Sequence, residues 1–292
     1  MADHQRGAVV IPSAFDYERA TSVDDAVAKL AASGGAGKLI AGGHSLVPMM
    51  KLRLNEPGTL IDIARIPGLA EIREDGDAVE IGAATVHHDV ATSAVLDARC
   101  PALSETAATI GDPQVRNRGT IGGSIAHADP AADYPAVLVA LDASIKIQGP
   151  NGARAVGAAD FFQGLFTVDL GPDELITAVR VAPVQTAAYA KLYQRASRFA
   201  LVGVAAALEV VDGTVRSARL GLTGASTHAV RLTATEAALV GCKATADGCA
   251  PALAEAGAGV EDINDDLHAS AAYRRAMIPV FARRAVAAAL AR

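Results

Sequence analysis

A mixed α and β fold is predicted by three observations. Short apolar runs alternate with helical stretches over roughly the first 185 residues, the pattern of packed α and β layers. Near Thr186 the character changes, and Ala205 to Val211 and Thr214 to Gly221 alternate across Asp212-Gly213, a strong hairpin signal. From Leu232 onward the chain reads mainly as Ala-rich helix. A domain boundary is therefore expected near residue 185, with an antiparallel sheet and helices beyond it.

The elements follow in order. After Ser22, the residues Val23, Val27, Leu30 and Ala31 fall on one helical face, and Asp24 and Asp25 occupy the first turn, where the helix dipole favours acids. A glycine-rich break then leads to Lys38-Leu39-Ile40-Ala41, a short apolar run that ends abruptly at Gly42-Gly43, as a strand running into a turn does. Further strands are expected at Thr59 to Ile63, Ala78 to Ala83 and Ser144 to Gln148, and helices near Val86 to Ser93, Ala102 to Ile110 and Asp133 to Leu141. A last helix is expected over Ser270 to Leu290, kinked at Pro279. No fixed-period repeat is present.

Composition narrows the function classes. The 292 residues are 51% hydrophobic but only 4% aromatic, with no Trp, so the cores must be built from Ala, Val, Leu and Ile. With 32 acids against 26 bases there is no basic stripe to release counterions, which argues against a nucleic-acid partner. No apolar stretch approaches the roughly 18 residues of a membrane span, and the opening MADHQRGAVVIPSAF lacks the plan of a signal peptide, so a cytoplasmic location is expected. Cys100, Cys242 and Cys249 form no C-x-x-C pair, against a disulfide framework, zinc site or iron-sulfur cluster on this chain.

Two glycine turns carry the chemistry. In Ala41-Gly42-Gly43-His44-Ser45 the missing Cβ atoms let backbone approach a ligand, so that consecutive N–H groups can converge on an anion. Thr120-Ile121-Gly122-Gly123-Ser124 repeats the pattern with a hydroxyl residue at each end. Burying a phosphate costs several kcal/mol per charge, whereas each hydrogen bond to it returns only about 1.5–3 kcal/mol, so one such loop is too little. Either turn alone also reads as a tight turn or bulge. No G-x-G-x-x-G, P-loop or G-x-S-x-G occurs.

These turns sit inside longer stretches that resemble a family: the FAD-binding medium subunits of molybdenum hydroxylases, the group of aerobic carbon monoxide dehydrogenase and of the flavin domain of xanthine dehydrogenase. The resemblance rests on Phe15-Asp16-Tyr17 with the following helix, AGGHSLVPMMKLRL at 41–54, DPQVRNRGTIGGSIAHADPAADYPA at 112–136, PDELITAVRV at 172–181 and the carboxy-terminal part. It implies an α+β chain: a PCMH-type FAD-binding domain over 1–185, made of two α/β subdomains (about 1–63 and 64–185), then a CO dehydrogenase flavoprotein-like C-terminal domain of antiparallel sheet plus helices over 186–292.

Position by position, the resemblance places a first FAD loop on Lys38, Leu39, Ile40, Ala41, Gly42, Gly43, His44 and Ser45, and a second on Thr120, Ile121, Gly122, Gly123 and Ser124. Asp133 matches an acidic FAD contact, Ile110 and Phe199 match residues on the two faces of the isoalloxazine, Ile176 matches a contact at the adenine end, and Lys191 matches a lysine beside the flavin N1 and O2 edge. There a cation would stabilise the anionic reduced ring. Ser124 replaces the usual Asn, exchanging an amide for a hydroxyl. Read by themselves, Asp133 is also a helix cap, Lys191 a solvated strand residue, and Ile110 and Phe199 ordinary core. His87-His88 and His127-Ala128-Asp129 lack a third ligand at fixed spacing, so no metal is expected, and Arg116 and Arg118 read as solvated loop residues.

The implied function is that of an oxidoreductase subunit with no catalytic residue for substrate oxidation. Its partners would be a large molybdenum-cofactor subunit and a small subunit with two 2Fe-2S clusters, in a dimer of heterotrimers. Electrons would pass from molybdenum through the clusters to FAD and on to a quinone, oxygen or NAD, and the complex could sit peripherally at the inner membrane. Carbon monoxide is the favoured substrate of that complex by resemblance alone. The alternative is a stand-alone FAD-dependent reductase or oxidase of the same FAD fold.

Overall fold

A computed structural model describes residues 11–292 of the chain. The first unit is a three-stranded parallel sheet with Thr59–Asp62 at its centre, flanked by Asp16–Arg19 and Gly37–Ile40. The expected first helix is Val23–Ala32: the Ser22 hydroxyl accepts the Asp25 N–H at 3.0 Å, Lys29 pairs with Asp25 at 2.9 Å, and Ala26, Val27 and Leu30 are buried. The strand Gly37–Ile40, an edge strand paired in parallel with Thr59–Asp62 alone, ends where its glycine turn begins, at the C-terminal edge of the sheet.

The second unit is a five-stranded antiparallel sheet in the order Ile72–Asp75, Ala78–Gly82, Leu175–Val181, Ser144–Gly149 and Gly152–Gly157. Its central strand arrives last, so the sheet closes only after a long helical excursion has been laid down. That excursion contains Pro101–Ala108, Ile121–His127 and Asp133–Ala140, the elements that carry much of the predicted site. Across Ala78–Gly82 every residue is buried, including Glu80, whose carboxylate is matched by Arg73 and Lys146. A buried carboxylate is tolerable only with such partners.

The third unit is an antiparallel sheet of Ala187–Tyr193, Ala200–Val211, Thr214–Thr223 and Val230–Arg231. Its hairpin turns at Asp212 (φ 50°) and Gly213 (φ 72°), two consecutive left-handed residues as a two-residue primed turn requires. The strand Ala200–Val211 is almost continuously apolar because the sheet is covered on both faces. Ala205 and Ala207 belong to the core shared with the helix Asp133–Ala140, while Val202, Val204 and Ala206 belong to a separate core under the helix Ala271–Leu290. Small residues set the spacing: a Cβ on Gly221 would lie 2.0 Å from the carbonyl oxygen of Ala136, so the helix backbone rests directly on the sheet.

One expectation for the carboxy-terminal part needs correction. The chain after Leu232 is helical over only about half its length: short helices Thr233–Leu239 and Ala246–Cys249 are followed by turns and loop until Ala271–Leu290. Tertiary contacts override the Ala-rich propensity there. Gly257 has φ 81° under Ile278, the Asn264 amide donates to the carbonyls of Gly224 and Ser226, and Asp266 accepts the His268 and Ala269 N–H groups. The last helix runs through Pro279 without a break, and its residues Ile278, Phe281, Ala282 and Ala285 are buried. Among the described residues, no helix is long and apolar enough to cross a membrane.

Gly221→Ala is expected to lower the unfolding free energy by about 1–3 kcal/mol, the usual cost of overpacking a rigid backbone contact. Chemical denaturation of the two proteins measures it, and an unchanged midpoint would show that the helix does not rest on the sheet at this point.

Candidate functional site

The first glycine turn touches the chain just ahead of the second. A Cβ on Gly42 would stand 2.2 Å from the carbonyl oxygen of Arg118 and 2.8 Å from the Cα of Gly119, so backbone meets backbone where the first sheet joins the second unit. Gly119 packs in turn on His87, whose Nε2 would be 2.6 Å from a Cβ there. Only glycine permits either contact.

The turns differ in what they offer. Gly43 takes a left-handed conformation, φ 73°, and leads into the short helix Leu46–Lys51. The N–H groups of Gly42, Gly43, His44 and Ser45 donate to no acceptor among the described residues, so four successive donors are available to an anion. In the second turn the amides are already engaged: Ile121 donates to the Thr85 carbonyl (3.0 Å), Gly122 to Ala83 (2.8 Å), Gly123 to the Thr120 hydroxyl (3.1 Å) and Ser124 to the Thr120 carbonyl (3.0 Å). The expectation of two equivalent anion nests is therefore corrected. The second turn opens the helix Ile121–His127 and supplies shape: Gly122 packs against Ala83, while Gly123 is exposed and a Cβ on it would meet only the Thr120 hydroxyl, at 2.8 Å.

Between the turns and the C-terminal sheet lies a cleft of about 1040 Å³, at the upper end of small-ligand pockets. Lys38, Leu39, Ile40, Ala41, Gly42, Gly43, His44 and Ser45 line it, as do Thr120, Gly122, Gly123, Ser124, Ile110, Asp133, Ile176 and Phe199. Ile121 and Lys191 do not. Ile121 is completely buried, because the first helical residue after Thr120 points into the core on the far side. Lys191 sits behind the wall with its side chain 6% exposed. Its ammonium donates to the Asp133 carboxylate (2.8 Å), the Thr109 carbonyl (3.1 Å) and the Arg198 carbonyl (2.9 Å), which uses all three of its donors. Tyr189, not singled out by the sequence, donates to the other Asp133 oxygen at 2.5 Å. Burial raises the Asp133 carboxyl above its ordinary range, and Lys191 and Tyr189 pull against that rise.

Three wall residues had no sequence signal pointing to a cofactor. Asp129 holds its loop by accepting the Ala131 N–H, His127 stacks on Phe166 with centroids 5.1 Å apart, and His87 lies beneath the second turn. His87 is 5% exposed, and its Nδ1 is 3.2 Å from the Tyr134 hydroxyl. Arg116 is occupied with the carbonyls of Ile110 and Gly111, both at 3.0 Å, and so steadies one cleft wall rather than standing free in solvent. Neither Arg116 nor Arg118 lines the cleft. Among the described residues, no group of three or more His, Cys, Asp or Glu is arranged to hold a metal ion.

The cleft suits an extended dinucleotide. Free amides for a diphosphate stand at one place on its wall, an apolar pair (Ile110, Phe199) at another, and the buried acid nearby is already matched by a cation. Residues 13–184 match the family model described as the FAD binding domain in molybdopterin dehydrogenase, and residues 187–289 match the CO dehydrogenase flavoprotein C-terminal domain. The chain belongs to the FAD-binding subunits of molybdenum hydroxylases. It is similar to the carbon monoxide dehydrogenase medium chain of Hydrogenophaga pseudoflava, at 42% identity over 97% of this chain and 99% of the relative. It is also similar to the 6-hydroxypseudooxynicotine dehydrogenase complex subunit alpha of Paenarthrobacter nicotinovorans, at 38% identity over 96% of each. A solved structure of the H. pseudoflava carbon monoxide dehydrogenase superposes with TM-score 0.90 at 43% identity, covering 96% of this chain and 99% of that one. The flavoprotein thus has the expected α+β fold of an FAD-binding part followed by a C-terminal domain.

Burial, with smaller contributions from His44 and Arg116, lowers the His87 pKa from 6.5 to about 4. The unfolded chain takes up a proton below about 6.5 and the folded chain only near 4, so this histidine makes stability fall as pH drops through that window, by about 3 kcal/mol in full. Unfolding free energies measured from pH 7 to 4.5 are expected to decline less steeply in His87→Gln than in the parent. Equal slopes would mean that His87 is already charged in the fold.

Proposed function

We propose that this chain holds one FAD across the cleft and serves as the electron-transfer subunit of a molybdenum hydroxylase complex. The observation that carries the reading is the run of four unengaged amides, Gly42 to Ser45, opening into a cleft whose wall also carries Ile110 and Phe199. When bound, FAD supplies a ring that accepts electrons and releases them singly or in pairs.

The residues of the chain then have separate tasks. Gly42, Gly43, His44 and Ser45 donate to the diphosphate, with Lys38, Leu39, Ile40 and Ala41 forming the approach to them. Gly123 leaves room on the opposite side, and the hydroxyls of Thr120 and Ser124 give polar contacts in place of an amide. Ile176 covers the adenine end. Ile110 and Phe199 bracket the ring and exclude water from it, which strengthens the electrostatics around the ring. The division of labour follows a boundary near residue 185, with Phe199 contributed by the C-terminal part.

The partners in this reading are a large subunit carrying the molybdenum cofactor and a small subunit carrying 2Fe-2S clusters, assembled as a dimer of heterotrimers. Electrons leave for a quinone, oxygen or NAD. Carbon monoxide is the proposed substrate of the complex, supported by the similarity to carbon monoxide dehydrogenase medium chains. Other relatives are named for 6-hydroxypseudooxynicotine and glyceraldehyde dehydrogenases, and in this reading the choice of substrate belongs to the large subunit.

Two measurements bear on the proposal. The purified complex is expected to absorb in the blue with one FAD per copy of this chain, and Gly123→Val is expected to lose the flavin while remaining folded by circular dichroism, since the new side chain projects into the cleft; full flavin retention would refute the site. Purified alone, the chain is expected to show no turnover with small organic substrates, whereas sustained flavin-dependent turnover would favour the stand-alone reductase or oxidase.

A further inference from the structure

Lys191 reaches three separate parts of the chain from one ammonium. Thr109 caps the helix Pro101–Ala108 and immediately precedes Ile110; Arg198 immediately precedes Phe199; Asp133 begins the helix Asp133–Ala140. The carbonyl oxygens of Thr109 and Arg198 are therefore held within about 6 Å of each other through a single nitrogen. We infer that Lys191 is a positioning residue that clamps the two apolar walls of the cleft, Ile110 and Phe199, at a fixed separation, with Asp133 and Tyr189 as its anchor. This rests on the FAD reading for what the walls enclose, but the clamp itself belongs to the chain.

The surroundings fit that role. Tyr189 and Lys191 both face the helix from the strand Ala187–Tyr193, two residues apart and so on one side of it. Gly203, opposite Lys191 in the neighbouring strand, has no Cβ, and one there would fall 2.2 Å from the Tyr189 hydroxyl, so the strand pair is shaped around that phenol. The segment that carries Phe199 is under tension: Arg198 has φ 63°, a left-handed conformation that costs a non-glycine residue about 1–2 kcal/mol. Gln194 holds the turn from within, accepting the Ser197 N–H on its side chain (2.6 Å) and the Arg198 N–H on its carbonyl (2.8 Å). From outside the turn, the Arg198 carbonyl is held by Lys191. The Phe199 backbone is tied within the turn as well, its carbonyl accepting the Gln194 N–H (2.9 Å) and its N–H donating to the Ser197 hydroxyl (3.3 Å); the Lys191 contact is what links this turn, and with it Phe199, 46% exposed, to the wall that carries Ile110.

The test uses the full chain and the assembled complex with Lys191→Met, which keeps length and removes all three donors, and with Tyr189→Phe, which removes only one of the two hydrogen bonds anchoring Asp133. Hydrogen exchange of residues 194–199 and 109–111 in the chain is expected to quicken at least tenfold in Lys191→Met and by a smaller factor in Tyr189→Phe. In the complex, iodide quenching of flavin fluorescence is expected to rise several-fold in Lys191→Met as the ring loses its cover, with the flavin midpoint potential unmoved. Unchanged exchange and quenching would overturn the clamp, as would a shifted potential with unchanged exchange, which would make Lys191 a direct partner of the ring. A flavin-free parent complex would instead refute the cofactor reading and leave the exchange result to decide the clamp. Should Lys191→Met fail to fold, Tyr189→Phe carries the same comparison, and parental exchange in it would count against the inference.

Discussion

The site depends on a contact that contains no side chain. Gly42 lies against the carbonyl of Arg118 and the Cα of Gly119 so closely that a single methyl group would separate them. Through this contact the C-terminal edge of the small parallel sheet meets the loop that precedes the helix Ile121–His127, and the free amides of one turn face the open side of the other. Gly119 extends the stack to His87, and His87 to Tyr134 at the start of a helix packed on the C-terminal sheet. Backbone apposition is a sensible foundation for a phosphate site, because amides fixed by main-chain packing lose little freedom on binding.

Much of this was legible in the sequence, for definite reasons. Helix Val23–Ala32 announced itself through period and cap, the hairpin at Asp212-Gly213 through the need for two left-handed residues, and the glycine turns through the absence of Cβ atoms next to an apolar run. Each of these is local. What could not be read is long-range. The engagement of the Ile121 and Gly122 amides by Thr85 and Ala83 depends on a strand end far earlier in the chain, and it turned a supposed pair of equivalent nests into one donor turn and one shape-giving turn. Lys191 matched the family as a flavin contact, yet two of its three partners, Thr109 and Asp133, lie far away in the chain, so only the fold could show that its protons are spent. The loop over 250–269 was missed because Ala content reports propensity, while Asn264 and Asp266 answer to carbonyls and amides elsewhere.

The handling of charge is consistent across the chain. Buried acids are each met by a cation or by main-chain donors: Glu80 by Arg73 and Lys146, Asp133 by Lys191 and Tyr189, Glu236 by Arg231 and the Leu220 N–H. The buried histidine under the cleft is kept neutral by desolvation. As a result Asp133, the buried acid of the cleft wall, is matched within the fold itself.

The residue Phe199 stands on a turn between two strands of the C-terminal sheet, while Ile110 follows a helix of the preceding unit. Neither unit owns a complete cleft. A chimaera that paired the front part of one relative with the rear part of another would inherit one wall from each parent and the Lys191 contact to Thr109 from both. A substitution in either half that moves its wall therefore reshapes a cleft that both halves share.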